Sequence, residues 1–135
     1  MIYDFLYKKA RPFHGRGVSD ESMTMTFGEL FEYAEKFGRK LRKQPEKKLG
    51  ILCRSELNTA TAILSCFFAG KTAVPLSVRY GYRHTKKIID SIGLGKIITD
   101  DGITAVSDTV SMSDDELSDV ALIMCTSGTT GSPKG

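Results

Sequence analysis

The stretch LGILCRSELNTATAILSCFFAGKTAVPLSV, residues 49–78, carries the pattern that decides the fold. It opens with a short apolar run at 49–54, bounded by turn-forming or charged residues as a buried strand would be. A helical pattern follows and ends at Gly70, a residue type that commonly terminates helices. A second apolar run at 73–78 then completes a strand–helix–strand unit, which is typical of a parallel sheet.

The same period continues downstream of this unit. GYRHTKKIIDSIG, residues 81–93, predicts a second connecting helix, and KIITD at 96–100 predicts a third strand. Strands beginning near Leu49, Ala73 and Lys96 are separated by 24 and then 23 residues, with a helix in each gap. This spacing is that of successive βαβ crossovers, so the sequence predicts an α/β fold with a largely parallel sheet flanked by helices.

Further elements are predicted on either side of these units. TFGELFEYAEKFGRKL begins with a capping box formed by Thr26 and Glu29 and continues as an amphipathic helix over 27–42. ITAV at 103–106 is a candidate strand, and DVALIMC at 119–125 is predicted to be a further buried strand. The helix predicted at 27–42 has its apolar residues at core-facing spacing: Phe27, Leu30, Phe31, Ala34, Phe37 and Leu41.

Composition predicts an ordinary globular domain in a reducing compartment. The chain has 135 residues, of which 41% are hydrophobic and 26% charged. Cys53, Cys66 and Cys125 are odd in number, widely spaced and set in apolar runs, which favours reduced, buried thiols. No secretory pattern or apolar run of about 18 residues is present, so we expect a cytoplasmic protein without a membrane span.

The charged residues argue against a nucleic-acid partner. Nineteen basic against 16 acidic residues give a net charge of +3, which favours anionic ligands without requiring a polyanion. The basic residues between 39 and 48 flank and follow the apolar stripe of a helix, so we interpret them as solvated faces. His14 and His84 lack neighbours suited to metal binding or nucleophilic catalysis and are predicted to be surface residues. We therefore expect neither a metal site nor a catalytic residue.

A loop rich in glycine and hydroxyl groups, CTSGTTGSPKG at 125–135, follows the last predicted strand. In open α/β sheets, ligands bind beyond the carboxyl ends of the strands, where this loop is expected to lie. Its glycines allow the backbone to approach a ligand closely, its hydroxyls donate hydrogen bonds, and Lys134 adds an ammonium group. Phosphate is the natural ligand for such a set of groups.

Two common nucleotide motifs do not match. A Walker loop requires glycine before its lysine and serine or threonine after it, whereas Pro133 and Gly135 flank Lys134. The pair Gly93 and Gly95 follows a helix and lacks the third glycine of a dinucleotide fingerprint. From composition alone, a flexible tail without function is favoured over a binding loop.

The loop TSGTTGSPKG resembles, at all ten positions, the phosphate-binding loop of the adenylate-forming superfamily, which includes acyl-CoA synthetases, luciferases and peptide-synthetase adenylation domains. Upstream, TMTFGELFEYAEKFGRKLR is similar to an early helix of that family, and FAGKTAVPLSVRY with IIDSIGLGKIITD is similar to its second block. Ser77-Val78 departs from the Asn-Pro or Asp-Pro pair common there, and Cys125 replaces a frequent aromatic residue.

The resemblance implies that residues 1–135 are the amino-terminal portion of an AMP-binding synthetase domain, truncated at the phosphate loop. The parent would be an ATP-dependent ligase similar to acyl-CoA synthetases. It would form an acyl adenylate with release of pyrophosphate and then form a thioester with CoA or a carrier pantetheine. The 135-residue chain alone would be inactive. The family's Mg²⁺ ligand, adenine contacts and acyl pocket would lie outside this chain, and fatty acid metabolism is an expected setting. The residues implied to hold the β and γ phosphates are Thr126, Ser127, Gly128, Thr129, Thr130, Gly131 and Lys134.

The alternative is a non-catalytic module that binds phosphate or a nucleotide, or that serves interactions, through the same loop. Coding sequence beyond Gly135 separates the two hypotheses, because only a ligase needs an acyl pocket and a further domain that carries a lysine.

Overall fold

The computed structural model describes residues 2–21, 23–106 and 120–124. Its helices are α1 (Ile2–Ala10), a 3-10 helix (Arg11–Phe13), α2 (Phe27–Arg42), α3 (Glu56–Ala69) and α4 (Tyr82–Ile92). Its strands are β1 (Gly17–Ser19), β2 (Thr24–Thr26), β3 (Lys48–Ile51), β4 (Thr72–Pro75), β5 (Lys96–Thr99) and β6 (Gly102–Ala105). The predicted alternation of strands and helices from β3 to β5 is confirmed.

The main sheet has the strand order β4-β3-β5-β6, and β1 and β2 form a separate antiparallel hairpin. Strand β3 pairs in parallel with both β4 and β5, while β6 is antiparallel to β5. The connection from β3 leads to its neighbour β4, and the connection from β4 crosses back over β3 to β5. These two connections run in opposite directions across the sheet. Because parallel crossovers are right-handed, their helices lie on opposite faces of the sheet, and each face has its own hydrophobic core.

The first core lies between the sheet and the helices α1, α2 and α3. Helix α2 begins with the predicted capping box, in which the Thr26 hydroxyl accepts from the Glu29 amide at 3.1 Å and the Glu29 carboxylate accepts from the Thr26 amide at 3.0 Å. It packs closely on α3 at Gly38, where an added Cβ would lie 2.6 Å from Phe68 Cδ1 and 3.0 Å from the Ser65 carbonyl oxygen. The close approach of the two helices therefore requires glycine at this position.

The segment 120–124 pairs with β4 at the edge of the sheet. The Ala73 amide donates to the Ala121 carbonyl and the Ile123 amide donates to the Ala73 carbonyl, both at 2.9 Å, around a parallel bridge between Ala73 and Leu122. The predicted parallel pairing is present as a single bridge at Leu122, but the described structure has no regular strand here, and the prediction that the segment is buried is wrong for the described residues. Leu122 and Met124 are 41% and 59% exposed.

Lysines at the amino-terminal edge of the sheet contact the ends of helices. Lys47 Nζ donates to the Gly70 carbonyl at the end of α3, and Lys48 Nζ donates to the Ile92 carbonyl at the end of α4. Lys71 Nζ donates to the Gln44 carbonyl just after α2. Helix carboxyl ends carry unpaired carbonyls and partial negative charge, which lysine satisfies. The interpretation of Lys47 and Lys48 as solvated is therefore wrong, and Lys48 is only 5% exposed.

The amino-terminal helix α1 was not predicted, and it changes the environment of His14. The imidazole of His14 lies 5.1 Å from the Tyr7 ring and 5.9 Å from the Phe31 ring, measured between centroids. Its Nε2 is buried and has no hydrogen-bond partner among the described residues. His84 is half-buried and lies 4.3 Å from the Tyr80 ring. Both histidines are thus partly exposed, and each also packs against an aromatic ring.

Two further expectations can be compared with the described ranges. Cys53 and Cys66 are buried free thiols, as predicted. Over residues 2–21, 23–106 and 120–124, no helix is both long enough and apolar enough to cross a bilayer.

Candidate functional site

The carboxyl-terminal edge of the sheet is where the fold gathers its loops and helix amino termini. Strands β3, β4 and β5 run in the same direction, so the segments after Ile51, Pro75 and Thr99 all leave from this edge. The bridge between Ala73 and Leu122 is parallel, so Met124 lies at the same edge, beside the end of β4. The chain thus reaches the start of the glycine-rich loop at the edge where α/β proteins bind their ligands.

The loop itself lies outside the described residues. This applies to all the predicted phosphate-binding residues, namely Thr126, Ser127, Gly128, Thr129, Thr130, Gly131 and Lys134. Their assignment stays a prediction, and the structure contributes the environment from which the loop departs.

The amino terminus of α3 lies at the same edge, and carboxylates of the protein already occupy it. Ser55 is the N-cap residue, and its hydroxyl accepts from the Asn58 amide at 3.1 Å. Asp20, from the turn between β1 and β2, accepts the Ser55 hydroxyl at 2.6 Å and the Leu57 amide at 2.9 Å on one carboxylate oxygen. Its other oxygen accepts the Met23 amide at 2.9 Å. Asp20 therefore ties the β1–β2 turn to the start of α3.

Asp100, which follows β5, supplies the second carboxylate. It accepts the Arg54 amide at 2.8 Å, the Ser55 amide at 3.3 Å and the Asn58 side-chain amide at 2.8 Å. The hydrogen bond from Asn58, together with that from the Arg54 amide, lowers the pKa of Asp100 below its ordinary value. Helix amino termini bind anions through free amides and the helix dipole, and here two aspartates take that role. A nucleotide phosphate at this helix would have to displace them.

Helix α4 also begins at this edge, without a side-chain cap at its N-cap residue Gly81. A cavity of about 320 Å³ lies between this helix and the ends of β3 and β5. Arg54, Thr85 and Asp101 contribute its polar groups, and Tyr80 and Tyr82 line it with aromatic rings. Its mixed charge suits a polar ligand of either sign and does not by itself define a reaction.

Two larger cavities lie on the other side of the α3 amino terminus. One of about 450 Å³ is mostly apolar, with Met23, Phe37 and Cys53 in its lining. The other, of about 440 Å³, is lined by Asp20, Asp100 and neighbouring polar groups. Burial raises the pKa of the Cys53 thiol to about 11, so at neutral pH it is protonated and unsuited to nucleophilic attack. Within the described ranges, no group of three or more His, Cys, Asp or Glu side chains could hold a metal ion.

Asp20 and Asp100 were not identified from the sequence. Both carried a usable signal, because Asp100 is the last residue of the predicted strand KIITD and Asp20 belongs to the turn-forming stretch SDES. Their shared target is Ser55, 35 and 45 residues away along the chain. The pairing of β3 with β5 brings Asp100 to Ser55, whereas Asp20 reaches Ser55 from the separate β1–β2 hairpin.

Comparison with known proteins gives independent information. A family model described as AMP-binding enzyme matches residues 7–118, a range that ends before the glycine-rich loop. The 2-succinylbenzoate--CoA ligase of Geobacillus kaustophilus is 31% identical over 139 residues, covering 87% of this chain and 28% of the ligase. Gramicidin S synthase 2 of Brevibacillus brevis is 28% identical over 139 residues, covering 87% of this chain and 3% of the synthase. The chain thus spans less than a third of these relatives.

A solved structure shares the fold. The O-succinylbenzoate Coenzyme A synthetase (MenE) of Bacillus subtilis, in complex with AMP, superposes with a TM-score of 0.70 at 24% identity, covering 97% of this chain and 40% of that chain. The predicted fold class, a largely parallel α/β sheet of the type that opens adenylate-forming enzymes, is confirmed. Because the family model matches well over half of the sequence, the chain belongs to the AMP-binding enzyme family.

Proposed function

We propose that residues 1–135 form the amino-terminal portion of an ATP-dependent ligase that activates a carboxylic acid as its acyl adenylate. One observation supports the proposal: the segment 120–124 forms a parallel bridge with β4 and reaches the carboxyl edge of the sheet at Met124, and TSGTTGSPKG follows shortly after it in the sequence. The neighbouring amino terminus of α3 is filled by Asp20 and Asp100, which leaves the loop as the better candidate for a phosphate site.

The chemistry suits a loop that supplies hydrogen-bond donors and one cation. A carboxylate oxygen of the acid attacks the α-phosphorus of ATP, and the bond from that phosphorus to the oxygen bridging to the β-phosphorus breaks. Pyrophosphate leaves with the electron pair, so negative charge accumulates on the β and γ phosphates. Backbone amides, the hydroxyls of Thr126 and Thr129, and the ammonium of Lys134 would stabilise that charge without proton transfer.

The thiol acceptor is the next part of the proposal. The adenylate would pass its acyl group to a sulfur atom, either of CoA or of pantetheine on a carrier protein, with release of AMP. The name of the 2-succinylbenzoate--CoA ligase supports a CoA acceptor, and that of the gramicidin synthase supports a peptide-synthesising system. We propose that the parent enzyme works in the cytoplasm, which the buried, unpaired thiols of Cys53 and Cys66 support.

Magnesium normally accompanies ATP in such a reaction. The described residues contain no cluster suited to a metal ion, so we assign none of them to it. The contribution of this chain would be to hold the two terminal phosphates through the loop.

Acid-dependent exchange of labelled pyrophosphate into ATP tests the proposal, using the full-length gene product and a panel of aryl, amino and fatty acids. Lys134→Ala should lower the exchange rate at least tenfold, because a charge-assisted contact contributes about 1.5–3 kcal/mol. Lys40→Ala is the matched control, since Lys40 is exposed on α2 and should leave the rate unchanged. Absence of exchange with every acid would contradict the proposal and favour a non-catalytic module. Exchange at equal rates for Lys134→Ala and wild type would contradict the role of Lys134 in holding the phosphates.

A further inference from the structure

Helix α1 has apolar side chains that the described structure leaves uncovered. Its inner face packs into the first core through Tyr3, Leu6 and Tyr7, and Tyr3 is only 6% exposed. Outside that contact, Ile2 and Phe5 are 46% and 59% exposed, and the rest of the exposed surface of the helix carries Asp4, Lys8 and Lys9. Exposed apolar side chains that lie together are typical of an interaction surface.

Two exposed aromatic rings, one on α1 and one in the segment that follows it, each lie beside a basic side chain. Phe13 is 44% exposed, and the guanidinium carbon of Arg16 lies 4.9 Å from its ring centroid. On α1 itself, Lys9 Nζ lies 5.6 Å from the centroid of the Phe5 ring. Each exposed ring thus has a long basic side chain beside it, which can bury its methylene stem while its charge stays in a polar layer.

The charge of this region is strongly one-sided. Residues 2–16 contain four basic residues and one acidic residue, an excess of three that equals the net charge of the whole chain. The residues 2–16 line none of the three cavities described above. This local excess of positive charge favours an anionic partner.

We propose that residues 2–16, the amino-terminal patch, dock on an anionic lipid bilayer. Phe5 and Phe13 would enter the boundary between headgroups and acyl chains, while the basic side chains contact lipid phosphates. Exposed aromatic and aliphatic residues interleaved with lysine and arginine on a short helix are the pattern of interfacial binding. This is peripheral attachment through one surface of a folded domain.

Co-sedimentation with lipid vesicles tests the proposal. The protein should bind vesicles of phosphatidylcholine containing about a third phosphatidylserine at least tenfold more tightly than pure phosphatidylcholine, and salt should weaken the binding. Lys8→Gln with Arg11→Gln should weaken it about 25-fold, since each cation near a membrane surface contributes about fivefold. Phe5→Ser with Phe13→Ser should weaken it about tenfold or more, through the loss of apolar insertion.

Matched control variants test whether vesicle binding depends on the residues of the amino-terminal patch or on exposed charges and aromatic rings elsewhere on the protein. Lys40→Gln with Lys43→Gln removes the same charge from the exposed surface of α2, and Tyr82→Ser removes an aromatic ring that is 81% exposed on α4. Both control proteins should bind vesicles as the wild type does, and circular dichroism should show native helix content in every variant.

Three outcomes would overturn the proposal. The first is equal affinity for anionic and neutral vesicles, or equal losses in the patch and control variants. The second is binding of poly-glutamate that matches or exceeds vesicle binding and depends on the same residues, which would identify an acidic polypeptide as the partner. The third is a dimer that dissociates in the Phe5→Ser, Phe13→Ser protein, which would identify a second copy of the chain.

Discussion

The Asp20 carboxylate offers the sharpest test of how the β1–β2 turn is held to α3. Asp20→Asn preserves size and shape but replaces one of two acceptor oxygens with an NH₂ group. Both oxygens face backbone amides, those of Met23 and Leu57, each at 2.9 Å. Whichever way the new amide turns, one backbone donor then faces another donor.

The expected loss of stability follows from the hydrogen bond and the negative charge that Asp20→Asn removes. One hydrogen bond to a charged group contributes about 1.5–3 kcal/mol, and a carboxylate at a helix amino terminus contributes about 0.3–1 kcal/mol more. Because Asp20 is half-buried, we expect the lower part of that range, so the free energy of unfolding should fall by about 2 kcal/mol. Urea unfolding followed by far-UV circular dichroism measures it.

The adjacent residue provides the control. Glu21→Gln removes the same charge from an exposed side chain and should change the free energy of unfolding by less than about 0.5 kcal/mol. If Asp20→Asn were as mild as Glu21→Gln, the role assigned to Asp20 would be refuted.

Three further predictions follow from contacts described above. Gly38→Ala should destabilise the fold by about 1–2 kcal/mol in the same urea assay, because a gain of about 1 kcal/mol in helix propensity offsets only part of an overpacking cost in the upper part of the roughly 1–3 kcal/mol range. Gly15→Ala, with no atom within 4 Å of its added Cβ, should be near neutral, and a stabilising Gly38→Ala would contradict the close packing. The lowered pKa of Asp100 means that its contribution to stability is complete above its ordinary pKa of 3.8 and is lost as the pH falls through the folded-state value. Asp100→Asn should therefore lower stability at neutral pH and weaken its decline on acidification, and parallel acid titrations of the two proteins would argue against the assigned bonds. Burial raises the pKa of the Cys66 thiol to about 12, so peptide mapping after iodoacetamide treatment at pH about 8 should find Cys66 unmodified until urea is added; rapid labelling of the native protein would contradict its burial.

The parallel part of the fold was predictable because its signals are local. The strand spacing, the capping box at Thr26 and the left-handed Gly70 that ends α3 each depend on neighbours within a few residues. The strand order was not predictable in this way, since the pairing of β5 with β3 rather than β4 depends on which edge the second crossover reaches. The three-residue strands β1 and β2 are too short for periodicity to show.

The inner face of α3 shows another limit of pattern analysis. The spacing of apolar residues in ELNTATAILSCFFAG places six of them on one helical face, namely Leu57, Ala60, Ile63, Leu64, Phe67 and Phe68. The most deeply buried residues of α3 are instead Ala62, Ser65 and Cys66. Helix α3 lies between α2 and the sheet, so it is covered on two sides and small residues occupy its closest contacts. A single amphipathic stripe cannot describe a helix with two buried faces.

At the candidate site, the sequence indicated the loop and the family, and the comparisons confirmed the family through residues 7–118. Local patterns could mark Asp20 and Asp100 as turn or strand-end residues, but not their pairing with Ser55, which joins segments 35 and 45 residues apart. The loop residues Thr126 to Lys134 remain predictions that the exchange assay tests.

The lysines at the amino edge of the sheet bear on how the protein behaves as a polyelectrolyte. Lys47, Lys48 and Lys71 are counted among the 19 basic residues, yet each ammonium group is turned inward onto a carbonyl. The remaining 16 basic residues equal the 16 acidic residues in number, so the formal excess of +3 equals the number of lysines already engaged with helix-end carbonyls. Retention of the protein on a cation exchanger should therefore depend on its accessible basic residues. It should be weaker than the net charge calculated from the sequence suggests.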